Sequence, residues 1–234
     1  MPDIIINVDA SASLDYEPPV EGLSYLNFFR SEGVLGRNLV GAAATVTGAP
    51  TMGAGYAVMT GAVSYIDTGL TDDTADLTLM VLAKSAEMPT ATSNSQLFIG
   101  NYVSASEANM GASIFVSGSG SHNPTGSFWS AGQALRAFVG GRIATDWAIR
   151  VLRLSEGQSV VTDLTAGIQL PASFETPRSM LNRTPFRIGW GGASFGGVSH
   201  VAAAAIAPRY LSDIEIADIA QSMRAMAAMD GIAA

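Results

Sequence analysis

Short apolar stretches recur along this chain, each closed off by turn-forming residues, and that rhythm limits the fold more than any other feature of the sequence. Asp3 to Val8, Tyr56 to Thr60, Leu77 to Ala83, Gln96 to Gly100, Ala112 to Ser117, Ala134 to Gly140, Trp147 to Leu154, Phe186 to Gly189 and Val198 to Ile206 are rich in Val, Ile, Leu or Phe. Gly, Pro, Asn, Asp or Ser clusters bound each of them. Several alternate with period two: within Trp147 to Leu154, Arg150 falls on the face opposite Ile149 and Val151. Many short strands separated by turn chemistry predict an all-β, antiparallel sandwich. The chain has 234 residues and no linker of disordered composition, so one domain over 1–234 is expected. Its parts are an N-terminal strand and irregular segment over 1–45, a sandwich over 46–207 and a closing helix over 212–230.

The helix carries the clearest local signal. Ser212-Asp213-Ile214-Glu215 is a capping box, in which the serine hydroxyl accepts from the amide three residues on and the glutamate reaches back to the cap amide. Ile216, Ile219, Ala220, Met223 and Met226 then follow at spacings of three and four, one apolar stripe that predicts docking on the sandwich and an end near Gly231. Tyr25 to Phe29 fits a short helix or a strand. Ser117 to Ser127, dense in Ser and Gly, reads as a long loop between strands.

Charge excludes several classes of partner. The formal charge is -8, and no run of Lys or Arg offsets it locally, so a phosphate backbone would be repelled and nucleic acid is not expected. There is no cysteine, hence no disulfide, no thiolate nucleophile and no Cys-based zinc site. Met1-Pro2-Asp3-Ile4-Ile5-Ile6 lacks the pattern of a signal peptide. Val201 to Ala207, the longest nearly pure apolar stretch, is far short of the roughly 20 residues that cross a bilayer, so membrane insertion is not expected. Charged residues are only 14% of the chain, against about 25% in typical soluble domains. Burial of surface between subunits and a compositional bias toward alanine both explain this.

The end of the chain resembles a known family. Arg187-Ile188-Gly189, Ser194-Phe195-Gly196-Gly197-Val198, Val201 to Ala207 and Tyr210-Leu211-Ser212-Asp213-Ile214-Glu215-Ile216 are similar to the closing segment of laminin G-like, concanavalin A-like domains. Tyr56 to Leu82, with Tyr65-Ile66-Asp67-Thr68-Gly69 before Leu77-Thr78-Leu79, resembles that family's first core hairpin. The resemblance implies an antiparallel jelly-roll β-sandwich of the lectin and glucanase type with a short C-terminal α-helix. Asn38 to Ala43, Gly48-Ala49-Pro50-Thr51 and Tyr65 to Gly69 are similar to stretches of bacteriophage and prophage proteins that carry the domain. That narrower resemblance implies a virion component, assembled in the host cytoplasm, often a homo-oligomer such as a trimer, with other virion subunits and host-surface carbohydrate as partners.

Catalytic motifs fail on context. Gly192-Ala193-Ser194-Phe195-Gly196 matches a nucleophile elbow in letters, but the elbow needs a helix after the serine and here a strand follows. The Glu-x-Asp-x-x-Glu strand of glycoside hydrolases on this fold is missing, and Asp213, Glu215 and Asp218 are explained by the helix start. Neither Gly53-Ala54-Gly55 nor Gly189-Trp190-Gly191 completes a dinucleotide motif. No enzyme activity and no nucleotide cofactor are expected.

Two candidate sites remain. Asp67, Asp72 and Asp73, with Asp76 nearby, could hold a calcium ion of the kind related sandwiches bind through loop carboxylates; ordinary Asp-rich turn chemistry is the alternative. His122, Asn123 and Trp129 combine an aromatic plate with hydrogen-bonding groups, as a sugar surface requires, and Asn101 and Tyr102 at a strand end are comparable candidates. The alternative is a mobile loop anchored by a buried Trp129, while Trp147 and Trp190 are expected mainly as core or rim anchors. The expected function is a virion-associated module of a phage tail, fibre or spike that binds host glycan, or else a purely structural oligomeric subunit, with a glycoside hydrolase, on fold analogy alone, as the third alternative.

Overall fold

The computed structural model describes residues 17–91, 93–104, 110–117, 121–130, 133–138, 143–174, 177–181, 183–192 and 195–234. The expected strand from Asp3 to Val8 lies outside the described residues, as does Ser194. In chain order the strands are β1 (Tyr25–Phe28), β2 (Thr45–Thr47), β3 (Thr51–Gly53), β4 (Tyr56–Thr60), β5 (Tyr65–Asp67), β6 (Leu77–Ser85), β7 (Gln96–Gly100) and β8 (Ser113–Ser117). They continue with β9 (Ser121–Ser130), β10 (Gln133–Phe138), β11 (Ala148–Ser155), β12 (Gln158–Asp163), β13 (Ile168–Ser173), β14 (Arg178–Ser179), β15 (Arg187–Ile188) and β16 (Val198–Ala207), before the helix α1 (Asp213–Ala228).

Among the described residues these strands form two antiparallel sheets. The first runs β13-β12-β11-β6-β16-β4-β3, with β1 also paired to β16. The second runs β10-β9-β8-β7-β15-β5-β2, with β14 added to β9. The result is a jelly-roll-like sandwich with one short C-terminal helix, as expected.

The main core lies between the sheets, where Met59, Leu79, Val81, Leu152, Leu154, Val201 and Ile206 of the first meet Ile66, Phe98, Ile114, Phe128 and Ile188 of the second. A second apolar layer lies on the other side of the first sheet. Leu26, Phe28, Met80, Leu82, Ile149, Val151, Ala203, Ala205 and Ala207 pack there with Ile216, Ile219, Ala220, Met223 and Ala227 of α1. Strands covered on both faces read as continuous apolar runs rather than alternating ones, which is why β6 and β16 show weak period-two patterning. It also explains Arg150. The face opposite Ile149 and Val151 is the sandwich interior, and Arg150 is fully buried there, donating to the carbonyls of Ala83 (2.6 Å), Ile143 (3.4 Å) and Asp146 (3.3 Å).

Two expectations are settled differently or more finely. Tyr25 to Phe28 is a strand, fully engaged with β16. The Ser/Gly-rich segment is not a long loop after Ser121, because β9 pairs with β8 and then β14 along one edge and with β10 along the other. The small residues there serve close packing: a side chain at Gly126 would fall 2.7 Å from Val161 across the core. His122, Asn123 and Pro124 lie at a register shift opposite β8, the kind of irregularity at which a sheet accommodates proline.

The capping box forms as read. The Glu215 amide donates to Ser212 Oγ (3.3 Å) and the Ser212 amide donates to Glu215 Oε2 (2.8 Å), while Arg209 Nη2 donates to Glu215 Oε1 (2.7 Å). These donors, Arg209 first and Ser212 next, hold the Glu215 carboxyl down at about 2 from its ordinary 4.5. A carboxylate depressed in the fold stabilises it above its unfolded value and stops doing so as the pH falls through the folded one. The Glu215 contribution should therefore disappear between about pH 4.5 and pH 2 in acid titrations followed by circular dichroism, and Glu215→Gln should flatten that part of the curve. Ser212→Ala should lower stability by about 1 kcal/mol in urea unfolding, and Ile219→Ala, which empties a fully buried position under α1, by about 2–5 kcal/mol.

Candidate functional site

Beyond the C-terminal end of α1 the outer face of the first sheet continues, and there it carries polar and aromatic side chains instead of aliphatic ones. Lys84 on β6 and His200 on β16 are register partners, and His200 is also opposite Val58 of β4. Tyr56 starts β4 and Trp147 immediately precedes β11. The Tyr56 ring stacks on the His200 imidazole at 4.8 Å between centroids and 29° between planes, and meets Trp147 edge-on at 5.2 Å and 64°. Lys84 Nζ stands 5.3 Å from the Trp147 ring centroid, within the roughly 6 Å reach of a cation–π contact. All four side chains are partly exposed.

Local sequence fixes this platform. A Cβ at Gly53 would lie 2.1 Å from the Tyr56 ring, so only glycine lets the ring lie across the β3–β4 hairpin. Gly55 has φ +76°, and a Cβ there would lie 2.4 Å from Asp230 at the end of the helix. Asp230 accepts from Arg30 Nε (2.6 Å) and Nη2 (3.1 Å), which ties the helix end to the segment after β1. The Gly53-Ala54-Gly55 motif thus serves ring and helix packing.

Electrostatically the platform carries a cation in an acidic protein. Arg30, Arg153, Arg178, Arg187 and Arg209 each meet a carboxylate. Lys84, the only lysine in the sequence, has no acidic partner among the described residues. Burial, and after it the Lys84 charge, holds the His200 pKa below its ordinary 6.5, so the imidazole is neutral at pH 7.

The candidates read from the sequence fall elsewhere. Asn101 is buried at 1% exposure, with its amide nitrogen donating to Asp73 Oδ2 (3.1 Å) and the Leu181 carbonyl (3.2 Å) and its oxygen accepting from the Ala112 amide (2.7 Å). It is a structural crosslink rather than a ligand contact. Tyr102 is also buried, its ring against Phe195 at 5.1 Å and 88°. His122, Asn123 and Trp129 belong to β9, with Trp129 opposite Ala134 and Ser179, and their side chains lie outside the described residues.

The calcium site does not assemble. Asp67 accepts from the Gly69 amide (3.0 Å) and from Arg187 Nε (3.4 Å), and Asp72 is exposed. Asp73 is fully buried, and its carboxylate is taken up by Arg178, the Leu181 amide (2.6 Å) and Asn101. Among the described residues no group of three or more His, Asp or Glu is placed to hold a metal ion. The acidic density of this turn builds a buried ion pair, which fastens the end of the second sheet to the turn before β6.

A second aromatic group lies on the outer face of the second sheet. Tyr65 and Trp190 are 4.7 Å apart, and the Arg187 guanidinium lies 4.8 Å from Trp190 and 5.8 Å from Tyr65. Here the cation is held by Asp67, so the cluster closes on itself. Trp190 is a rim anchor as expected, whereas Trp147 belongs to the open platform. Sequence reading passed over Tyr56, Lys84 and His200 as a group; the signal that was there is the lone lysine interrupting the apolar run of β6.

No family model matches the chain, and comparison with curated proteins gives no match. Solved structures of the same fold include Trypanosoma rangeli sialidase (TM-score 0.60, 14% identity), aligned over 88% of this chain and 34% of the sialidase. The binding domain of botulinum neurotoxin DC in complex with SialylT aligns over 88% of this chain and 52% of that one, with TM-score 0.63 and 9% identity. The serotype D botulinum neurotoxin binding domain gives 0.60, 12%, 87% and 53% in the same order. This chain therefore spans about a third of the sialidase and half of the toxin domains. At such identities the likeness is one of fold.

Arg178→Met should destabilise the protein by about 3–5 kcal/mol in denaturant unfolding, because it strands the Asp73 carboxylate in the interior, while added calcium should leave Tm unchanged. In an NMR titration of the imidazoles, His200 should protonate below the ordinary histidine value, and Lys84→Met should move that titration upward, leaving only the effect of burial.

Proposed function

We propose that the chain is a non-enzymatic carbohydrate-binding module with the Trp147, Tyr56, His200 and Lys84 platform as its ligand surface. The observation that carries this reading is a partly exposed aromatic plate flanked by an ammonium with no acidic partner among the described residues and a neutral imidazole. A pyranose has apolar C–H faces and a polar rim, so it needs flat aromatic surface and donors around it. The fold supports the reading, since its solved neighbours include a toxin binding domain in complex with SialylT and a sialidase. The platform itself offers no support for hydrolysis: most glycosidases set two carboxyl groups across the scissile bond, sialidases with their tyrosine nucleophile being an exception, and Asp230, which meets the hairpin at Gly55, is held by Arg30.

We assign the module to a virion component, such as a phage tail, fibre or spike protein, from the sequence resemblance and the low charge. Host-surface glycan is then its partner, and other virion subunits its neighbours. A second reading, a purely structural oligomeric subunit, is favoured by apolar side chains left open at one edge of the second sheet, Val63 at 71% and Val46 at 37% exposure. Light scattering separates them in part: a stable trimer or larger ring supports assembly, and a monomer at high concentration counts against it.

The glycan reading predicts binding on arrays and to isolated host envelope polysaccharide, with Trp147→Ala weakening it at least about tenfold, or 1.4 kcal/mol, while circular dichroism stays native. An absence of binding on both, with folded protein, would falsify it.

A further inference from the structure

We propose that the platform selects acidic sugars, with the Lys84 ammonium taking a sugar carboxylate while the ring packs on Trp147 and Tyr56; this rests on the carbohydrate-binding reading above. The argument begins with charge. In a chain of net charge -8, five arginines meet acids, and the single lysine is left on the aromatic plate. An ammonium beside an aromatic face and without a carboxylate keeps its full capacity for an anionic ligand, and a partly desolvated site makes that contact worth more than it would be in water.

Geometry narrows the anion. Lys84 and His200 are direct register partners on one face, so their side chains flank the same patch, and the Tyr56 ring already stacks on His200. Nδ1 of His200 is buried and has no hydrogen-bond partner, so the neutral ring offers a ligand one nitrogen at most, Nε2. One point charge with at most one imidazole nitrogen suits a group carrying a single negative charge. Phosphate recognition instead favours clusters of arginine forks or helix-terminal amides, and the platform has neither. The four residues sit on a covered sheet and a glycine hairpin, so little ordering is needed on binding.

Isothermal titration of the full chain with paired probes tests this. The pairs are oligogalacturonate against its carboxyl-reduced galactan, and sialyllactose against lactose, with a sulfated galactan as the other anion source. The expected result is at least tenfold tighter binding of the carboxylated member in one or both pairs, with Lys84→Met reducing it to the level of the neutral partner and Lys84→Arg retaining most of it. Trp147→Ala should weaken both members alike. Equal affinity for charged and neutral members overturns the acidic-sugar assignment and leaves the carbohydrate reading standing. A preference for the sulfated galactan alone overturns the carboxylate. Binding to none of the probes by folded protein, together with silence on the arrays, overturns both, and a carboxylate preference that survives Lys84→Met overturns the role of Lys84.

Discussion

A sheet that is apolar on both faces needs two covers, and the rest of this molecule follows from that requirement. β6, β11 and β16 form the centre of the first sheet, with Leu79, Val81, Leu152 and Ile206 on one side and Met80, Leu82, Val151 and Ala205 on the other. The second sheet covers one side. The other is left to α1, whose stripe of Ile216, Ile219, Ala220 and Met223 lies on alanines of β16 small enough to let a helix approach. Near the helix end, where Asp230 meets Gly55, that face is covered by Tyr56, Trp147, Lys84 and His200 rather than by aliphatic side chains of α1. The platform is thus the uncovered remainder of a face that is otherwise core.

That origin explains its rigidity. Tyr56 lies across Gly53, Gly55 lets the hairpin meet Asp230, and the Arg30–Asp230 pair holds the helix end in place. A surface built on strands and a pinned hairpin, rather than on a long loop, needs little ordering to take up a ligand, which would reduce the entropy lost on association. Charge is handled by the same logic elsewhere. Where the fold buries an ion, as with Asp73 and Arg178, it supplies partners for it, whereas Lys84, at the surface, has no acidic partner among the described residues.

Much of the architecture was legible because local chemistry and tertiary packing agree. The capping box over Ser212 to Glu215, the stripe of α1 and the strands from Leu77, Gln96, Trp147 and Val198 all carry their own signals. The Ser/Gly-rich segment misled because glycine and serine mark turns in general, whereas at Gly126 the small residue answers to Val161 on the opposite sheet, a partner distant in sequence. β12 and β13 went unread for a related reason, since Gln158 to Asp163 and Ile168 to Ser173 are short and mixed in polarity and take their pairing from β11. The candidate site was harder still. Asn101 and the aspartates at 67 and 73 have the right chemistry for ligands, but burial assigns them to internal hydrogen bonds, and no sequence pattern reports burial of a single polar side chain. Tyr56, Lys84, Trp147 and His200 come from four separate stretches that only the sheet brings together.

The sequence contains three tryptophans, so the indole N–H region of a nitrogen-15 correlation spectrum has one signal each for Trp129, Trp147 and Trp190, and glycan titration into labelled protein locates the binding surface directly. If the platform is the site, a bound oligosaccharide moves the Trp147 signal together with the His200 imidazole and leaves Trp129 and Trp190 in place. Movement of Trp129 or Trp190 with Trp147 unchanged would contradict it and shift the site to the second sheet.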